Sequence, residues 1–144
     1  MKKMFLTVFV LFCFYIYSQD LIYKSATEYD YPPFSVTDKG IADGFSVELL
    51  KAVCDEMKIK VSFKIDDWET IKNELKDGKL DILPLVGRTP EREAYFDFTI
   101  PYITLNGSIF VGKDNKTIRS EEDLYGKEII VMEGDNAHEY AKRN

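Results

Sequence analysis

Three short stretches of the chain carry the residue types that can grip a small polar molecule. EYDYPPF supplies Glu28, Tyr29, Asp30, Tyr31 and Phe34; Asp66, Asp67 and Trp68 follow one another; GRTPER supplies Gly87, Arg88, Thr89 and Arg92. The first two stretches are acidic and aromatic, and the third is cationic. Thr89 before Pro90 marks a helix start, with threonine as cap and proline at the first helical position. Such a start holds an anion on its unpaired N–H groups, and arginine adds a fork for a carboxylate. An acidic loop holds an ammonium group, while Tyr31 or Trp68 covers an aliphatic body. The chemistry suggested is binding of a small zwitterion such as an amino acid.

Each of these residues also has a plainer reading. Arg92 can pair with Glu91 or Glu93 on a surface helix. Tyr31 and Trp68 can be core or rim aromatics, and Glu28 a solvated loop acid. Asp66 and Asp67 look more like helix caps than general acids or bases, and His138 reads as an exposed residue of a terminal helix. Nothing resembles a nucleophile elbow or a phosphate-binding glycine loop.

The elements that must position these groups fit a chain of 144 residues, long enough for a real core. Lys and Arg total 19 against 25 Asp and Glu, a formal charge of −6 with no basic patch, which argues against nucleic acid as a partner. Cys13 and Cys54 cannot staple a fold, and with a single histidine they cannot build a zinc site, so neither metal nor cofactor is expected. Lys2 and Lys3 precede an apolar run from Met4 to Tyr17, short for a bilayer span; residues 1–18 read as a secretory signal, with an uncleaved anchor as the alternative. Without them the charge becomes −8, and Cys54 is the one thiol left, expected buried on a helix.

From Leu21 the chain alternates strand and helix. Strands are expected at Leu21–Thr27, Lys60–Ile65, Leu80–Val86, Ser108–Val111 and Glu128–Met132. A helix from about Val47 places Leu50, Val53, Cys54 and Met57 on one stripe. A second, capped by Asp66 with Glu69, places Trp68, Ile71 and Leu75 on one face and ends at Asp77-Gly78. A third follows Thr89, and a last one starts near Asn136. The pattern is an open α/β sheet of mainly parallel strands, whose ligands sit at the carboxyl ends of the strands.

GFSVELLKAVCDEM (Gly44 to Met57) resembles the signature of the bacterial extracellular solute-binding proteins, family 3. Only Ser46 departs, standing where an acid is expected, and serine can still cap the helix. YPPF, DGKLDILP, TPERE, YFDFTIPY and the later SEEDLYGKEIIVMEGDNAHEY are similar to the same family, in its order. The resemblance implies a type II periplasmic binding protein: two α/β lobes on a double-stranded hinge, closing on a ligand. It assigns residues 19–112 to the first lobe and 113–144 to the hinge and an incomplete start of the second, as in a fragment.

The resemblance further implies that Arg92 grips an α-carboxylate, Tyr31 stacks on the ligand, Glu28 meets its cation and Trp68 adds an aromatic. Leu85 and Gly87 stand where a hydroxyl is usual, leaving a backbone N–H of Gly87 to serve, and Arg88 adds a second cation. Thr89 and Asn136, at the start of the final helix, complete the ligand-binding set. The implied function is extracytoplasmic binding of an amino acid or related carboxylate beside an inner-membrane permease. One alternative is a ligand-sensing module split from a membrane histidine kinase or diguanylate cyclase, which the PLVGRTPERE wording favours. Others are a cyclohexadienyl dehydratase-like enzyme and a structural remnant without affinity.

Overall fold

The computed structural model describes residues 21–144, so the expected signal segment, with Cys13, lies outside the described residues. Strand β1 is Ile22–Thr27, β2 Asp30–Tyr31, β3 Ser35–Asp38, β4 Ile41–Asp43 and β5 Lys60–Ile65. Helix α1 is Phe45–Glu56, α2 Trp68–Lys76, α3 Pro90–Glu93 and α4 Asn136–Arg143, with a 3-10 turn at Glu122–Leu124. The fold class is α/β, as expected.

β1 and β5 run parallel, in register from Ile22 beside Lys60 to Thr27 beside Ile65. A parallel pair needs a crossover, and α1 supplies it. Ser25, Ala26 and Thr27 are buried in succession, so the carboxyl end of β1 is covered on both faces. α1 lies against β3, β4 and β5, and α2 against β1. Ala26, Trp68, Ile71 and Leu80 form a buried cluster, with Leu75, Leu83 and Val86 packed around it.

The antiparallel sheet β2-β3-β4 was not expected; residues 28–44 read as loop and turn. Its tight turn is made by Lys39 and Gly40, both at positive φ (50° and 81°), the backbone that two-residue hairpins require. Gly44 then brings the chain against Phe34: a Cβ there would lie 2.7 Å from the Phe34 carbonyl oxygen. That approach lets the Phe45 and Ser46 N–H groups donate to the carbonyls of Pro33 and Phe34, at 3.0 and 2.9 Å. Ser46 is therefore not the cap of α1; it is buried inside the first turn, with its hydroxyl 3.0 Å from that of Tyr102.

Two further expectations change. The buried row of α1 is Val47, Leu50 and Cys54, while Val53 and Met57 are exposed, because the helix meets the strands along 47, 50 and 54. The apolar run Leu80–Val86 makes a single bridge, Ser25 to Ile82, instead of a strand. There the Asp81 carboxylate, at 2.7 Å, takes the Lys24 N–H, and Pro84 has no N–H to give.

No strand forms over residues 95–132 among the described residues, so the expected strands Ser108–Val111 and Glu128–Met132 are absent. Their backbones meet no neighbouring strand, and side chains such as Phe110 (92% exposed) and Ile130 (98%) face solvent. Among the described residues, no helix is long and apolar enough to cross a membrane.

Candidate functional site

The site forms where α3 meets the segment leading into α4. Thr89 caps α3 as its sequence predicts: its hydroxyl accepts from the Arg92 N–H at 3.3 Å, and Pro90 fills the first helical position. This short turn points Arg92 inward, where the residue is only 4% exposed. The guanidinium is satisfied from three sides. Nε donates to Glu139 Oε1 at 3.0 Å, Nη1 to the Gly87 carbonyl at 3.1 Å and Nη2 to the Gly134 carbonyl at 3.1 Å. Its flat face lies 4.9 Å from the centre of the Trp68 ring. Glu139 Oε2 accepts from the Thr89 hydroxyl at 2.7 Å, so one carboxylate spans cap and cation.

Gly134 is the second fixed point. Its carbonyl accepts from the Trp68 indole N–H at 2.8 Å and the Lys72 ammonium at 3.3 Å, besides Arg92. The backbone here has φ +72°, and a Cβ would fall 2.0 Å from Glu69 Oε2. Its N–H donates to His138 Nδ1 at 3.0 Å, so His138 lies on the terminal helix as expected but is partly buried against the turn instead of exposed. Asp135 caps α4, accepting from the Asn136 N–H at 2.7 Å. The Asn136 amide then lies so close to Gly87 that a Cβ on residue 87 would approach it to 3.1 Å. A second tie joins the helices: Arg143 donates to both oxygens of Glu91, at 2.7 and 2.9 Å.

The structure thus brings Arg92, Thr89, Gly87, Trp68 and Asn136 together. Gly87 contributes its carbonyl to the Arg92 contact. Arg88 is not in this group; it is exposed and ion-paired with Glu93. Neither Glu91 nor Glu93 partners Arg92, contrary to the surface-helix reading. Glu28 is half-buried at the carboxyl end of β1, and burial, with the charge of Asp135 second, raises its carboxyl above the usual glutamate range. Tyr31 is exposed at the start of an aromatic row, with ring centres 5.8 Å to Phe34, 6.4 Å on to Phe45 and 6.1 Å on to Tyr102.

The acids of the second stretch serve structure. The cap of α2 is Asp67, one residue later than expected: it accepts from the Thr70 hydroxyl at 2.6 Å and the Thr70 N–H at 3.0 Å. Those bonds, the hydroxyl's first, hold its carboxyl below the usual range. Asp66 pairs with Lys64 at 3.0 Å, and Glu69 with Lys72 at 2.7 Å instead of closing a capping box. A concavity of about 390 Å³ lies elsewhere, along β1 and β5, and its Lys64 and Lys79 are already ion-paired. Among the described residues, no three His, Cys, Asp or Glu side chains are grouped to hold a metal ion.

Sequence reasoning missed Glu139, Gly134 and Asp135, whose one local signal is the helix start GDN. The comparisons with known proteins show the family and the fold. Bacterial extracellular solute-binding proteins, family 3, match residues 23–142. The "Probable amino-acid-binding protein YxeM" of Bacillus subtilis (strain 168) is 35% identical over 118 residues, covering 81% of this chain and 44% of that relative. Among solved structures, a histidine kinase sensor domain with similarity to periplasmic binding proteins superposes with a TM-score of 0.76 at 28% identity, over 85% of this chain and 54% of its own. The ancestral amino acid-binding protein AncCDT-1, a precursor of cyclohexadienyl dehydratase, gives 0.71 at 38% identity, over 85% and 56%. The chain spans about half the length of these relatives and shares the type II periplasmic-binding fold over that span. It belongs to the bacterial extracellular solute-binding proteins, family 3.

Proposed function

We propose that this chain carries the ligand-gripping half of an extracytoplasmic receptor for a small zwitterionic solute, an amino acid in the simplest case. The observation that carries the reading is that a buried cation, Arg92, and a half-buried acid, Glu28, both face the Gly134-Asp135 turn, Arg92 by its bond to the Gly134 carbonyl and Glu28 through the charge of Asp135. Arg92, buried and stacked on Trp68, offers a cation to a carboxylate. Glu28, half-buried and close enough to Asp135 to feel its charge, offers an acid to an ammonium group. Tyr31 supplies an exposed ring for the aliphatic body, and Gly87, Thr89 and Asn136, which gather around Arg92 and Glu139, supply the polar surround. Arg88 plays no part in gripping the ligand in this reading.

Residues 1–18 act as the export signal, 19–112 as the first lobe, and 113–144 as hinge and start of the second. Binding needs no cofactor and involves no turnover. The partner is an inner-membrane permease. A signalling domain in its place is the second reading, favoured by the likeness to a histidine kinase sensor domain.

The test is a thermal-shift screen of the full chain against the twenty L-amino acids and L-cystine. A reproducible rise in midpoint with one chemical group of them, reduced in Glu28→Gln, supports the reading. No shift from a folded sample would sink it.

A further inference from the structure

Glu139 stands where nothing in the sequence placed a site residue. Its two oxygens are deployed as those of a small bound acid would be, one on the guanidinium of Arg92 at 3.0 Å and one on the hydroxyl of Thr89 at 2.7 Å. The remaining Arg92 contacts, with the carbonyls of Gly87 and Gly134, are to neutral groups, so Glu139 is the one anion hydrogen-bonded to this cation among the described residues. The Arg92 side chain is 4% exposed and that of Glu139 16%, so the pair is largely withdrawn from water, with the acid on the wetter side. We propose that Glu139 is the resident occupant of the carboxylate position at Arg92, and that a ligand carboxylate binds by exchanging with it. This rests on the reading of Arg92 as the ligand's carboxylate grip.

Local charge at the guanidinium favours the exchange. A second carboxylate beside an undisplaced Glu139 would put two anions on one guanidinium in a site largely shielded from solvent, where an uncompensated charge is costly. Exchange keeps the balance at every stage. Displaced Glu139 lies in the first half of α4 and has a short path to water, while Arg143 on Glu91 keeps the helix tethered. Glu139 is then a specificity residue: only an acid that offers more than Glu139 does, through a second anchoring group such as an ammonium on Glu28, displaces it.

Wild-type full chain and Glu139→Gln are titrated calorimetrically with L-arginine, L-glutamine and L-cystine, and Trp68, the single tryptophan, is followed by acrylamide quenching. Glutamine keeps the shape but removes the competing charge. Glu139→Gln is expected to bind at least one probe about ten-fold more tightly than wild type, the size of one charge-assisted hydrogen bond. Its Trp68 is expected to be more quenchable, because the Gly134 segment is held less firmly. Glu139→Asp keeps the charge but is one methylene too short to span Arg92 and Thr89; it should move affinity the same way by less, and it carries the test where the glutamine variant does not fold. If a probe binds wild type and variants equally, or the variants more weakly, the exchange is overturned and the Arg92 reading stands. If no probe binds any form, the Arg92 reading falls, and the exchange with it.

Discussion

Across 47 residues of chain, Glu139 places a carboxylate oxygen 3.0 Å from Nε of the buried Arg92, joining α4 to α3. The pair has a structural role whatever its part in the proposed exchange. Glu139→Gln leaves the guanidinium without its counter-ion and should destabilise the ligand-free chain by about 2 kcal/mol, read from urea unfolding. Arg143→Ala removes a tie whose partners are both well exposed and should barely move the same curve.

Trp68 has two roles that one substitution separates. Its ring belongs to the core with Ala26, Ile71 and Leu80, and its N–H holds the Gly134 carbonyl. Trp68→Phe keeps much of the ring burial and loses the hydrogen bond, at a cost of about 1 kcal/mol for the bond plus the lost ring area. Trp68→Ala should cost about 4 kcal/mol by emptying the cluster. Circular dichroism during urea unfolding measures both, since neither variant retains the fluorophore.

Gly134→Ala tests the second fixed point. The positive φ is unfavourable for any L side chain by roughly 1–2 kcal/mol. The new methyl must also displace the end of the Glu69 side chain from its contact with Lys72. The expected outcome is lower stability together with greater acrylamide quenching of Trp68.

The Glu28 carboxyl sets a pH dependence whose sign is defined. Its folded-state pKa lies above the unfolded value, mainly through burial, so the folded state holds the proton more tightly. Stability from this group is therefore full below the ordinary glutamate range and is lost as pH rises through the raised folded value. Glu28→Gln should match wild type below the ordinary glutamate range and become the more stable of the two as pH rises toward neutral. Midpoints of urea unfolding across that range check it; a difference that grows toward acid would contradict the assignment.

Local chemistry was legible in the sequence and distant contacts were not. Thr89-Pro90 starts α3, and Asp77-Gly78 ends α2, because caps are decided within four residues. Cys54 is buried on its helix as expected. The strand expected at Leu80–Val86 failed because apolar content outweighed Pro84 in the reading, although proline cannot donate to a ladder. Lys39-Gly40 hid a hairpin, since lysine seldom adopts positive φ. Arg92 is legible by type and setting as a carboxylate grip, with pairing to the adjacent Glu91 or Glu93 as the plainer alternative, but its partners in the fold are Glu139 and the Gly87 and Gly134 carbonyls. Glu139 and Gly134 reach it only through the folded chain, and no spacing in the sequence encodes that meeting.

The central claim is that Arg92 receives the carboxylate of a small zwitterion. Calorimetric titration of L-arginine into the full chain and into Arg92→Lys tests it most directly, because lysine keeps the charge and loses the planar fork. Saturable one-to-one heat with wild type, weakened at least about ten-fold in Arg92→Lys, is the predicted result. Saturable binding of equal strength in both proteins would contradict it.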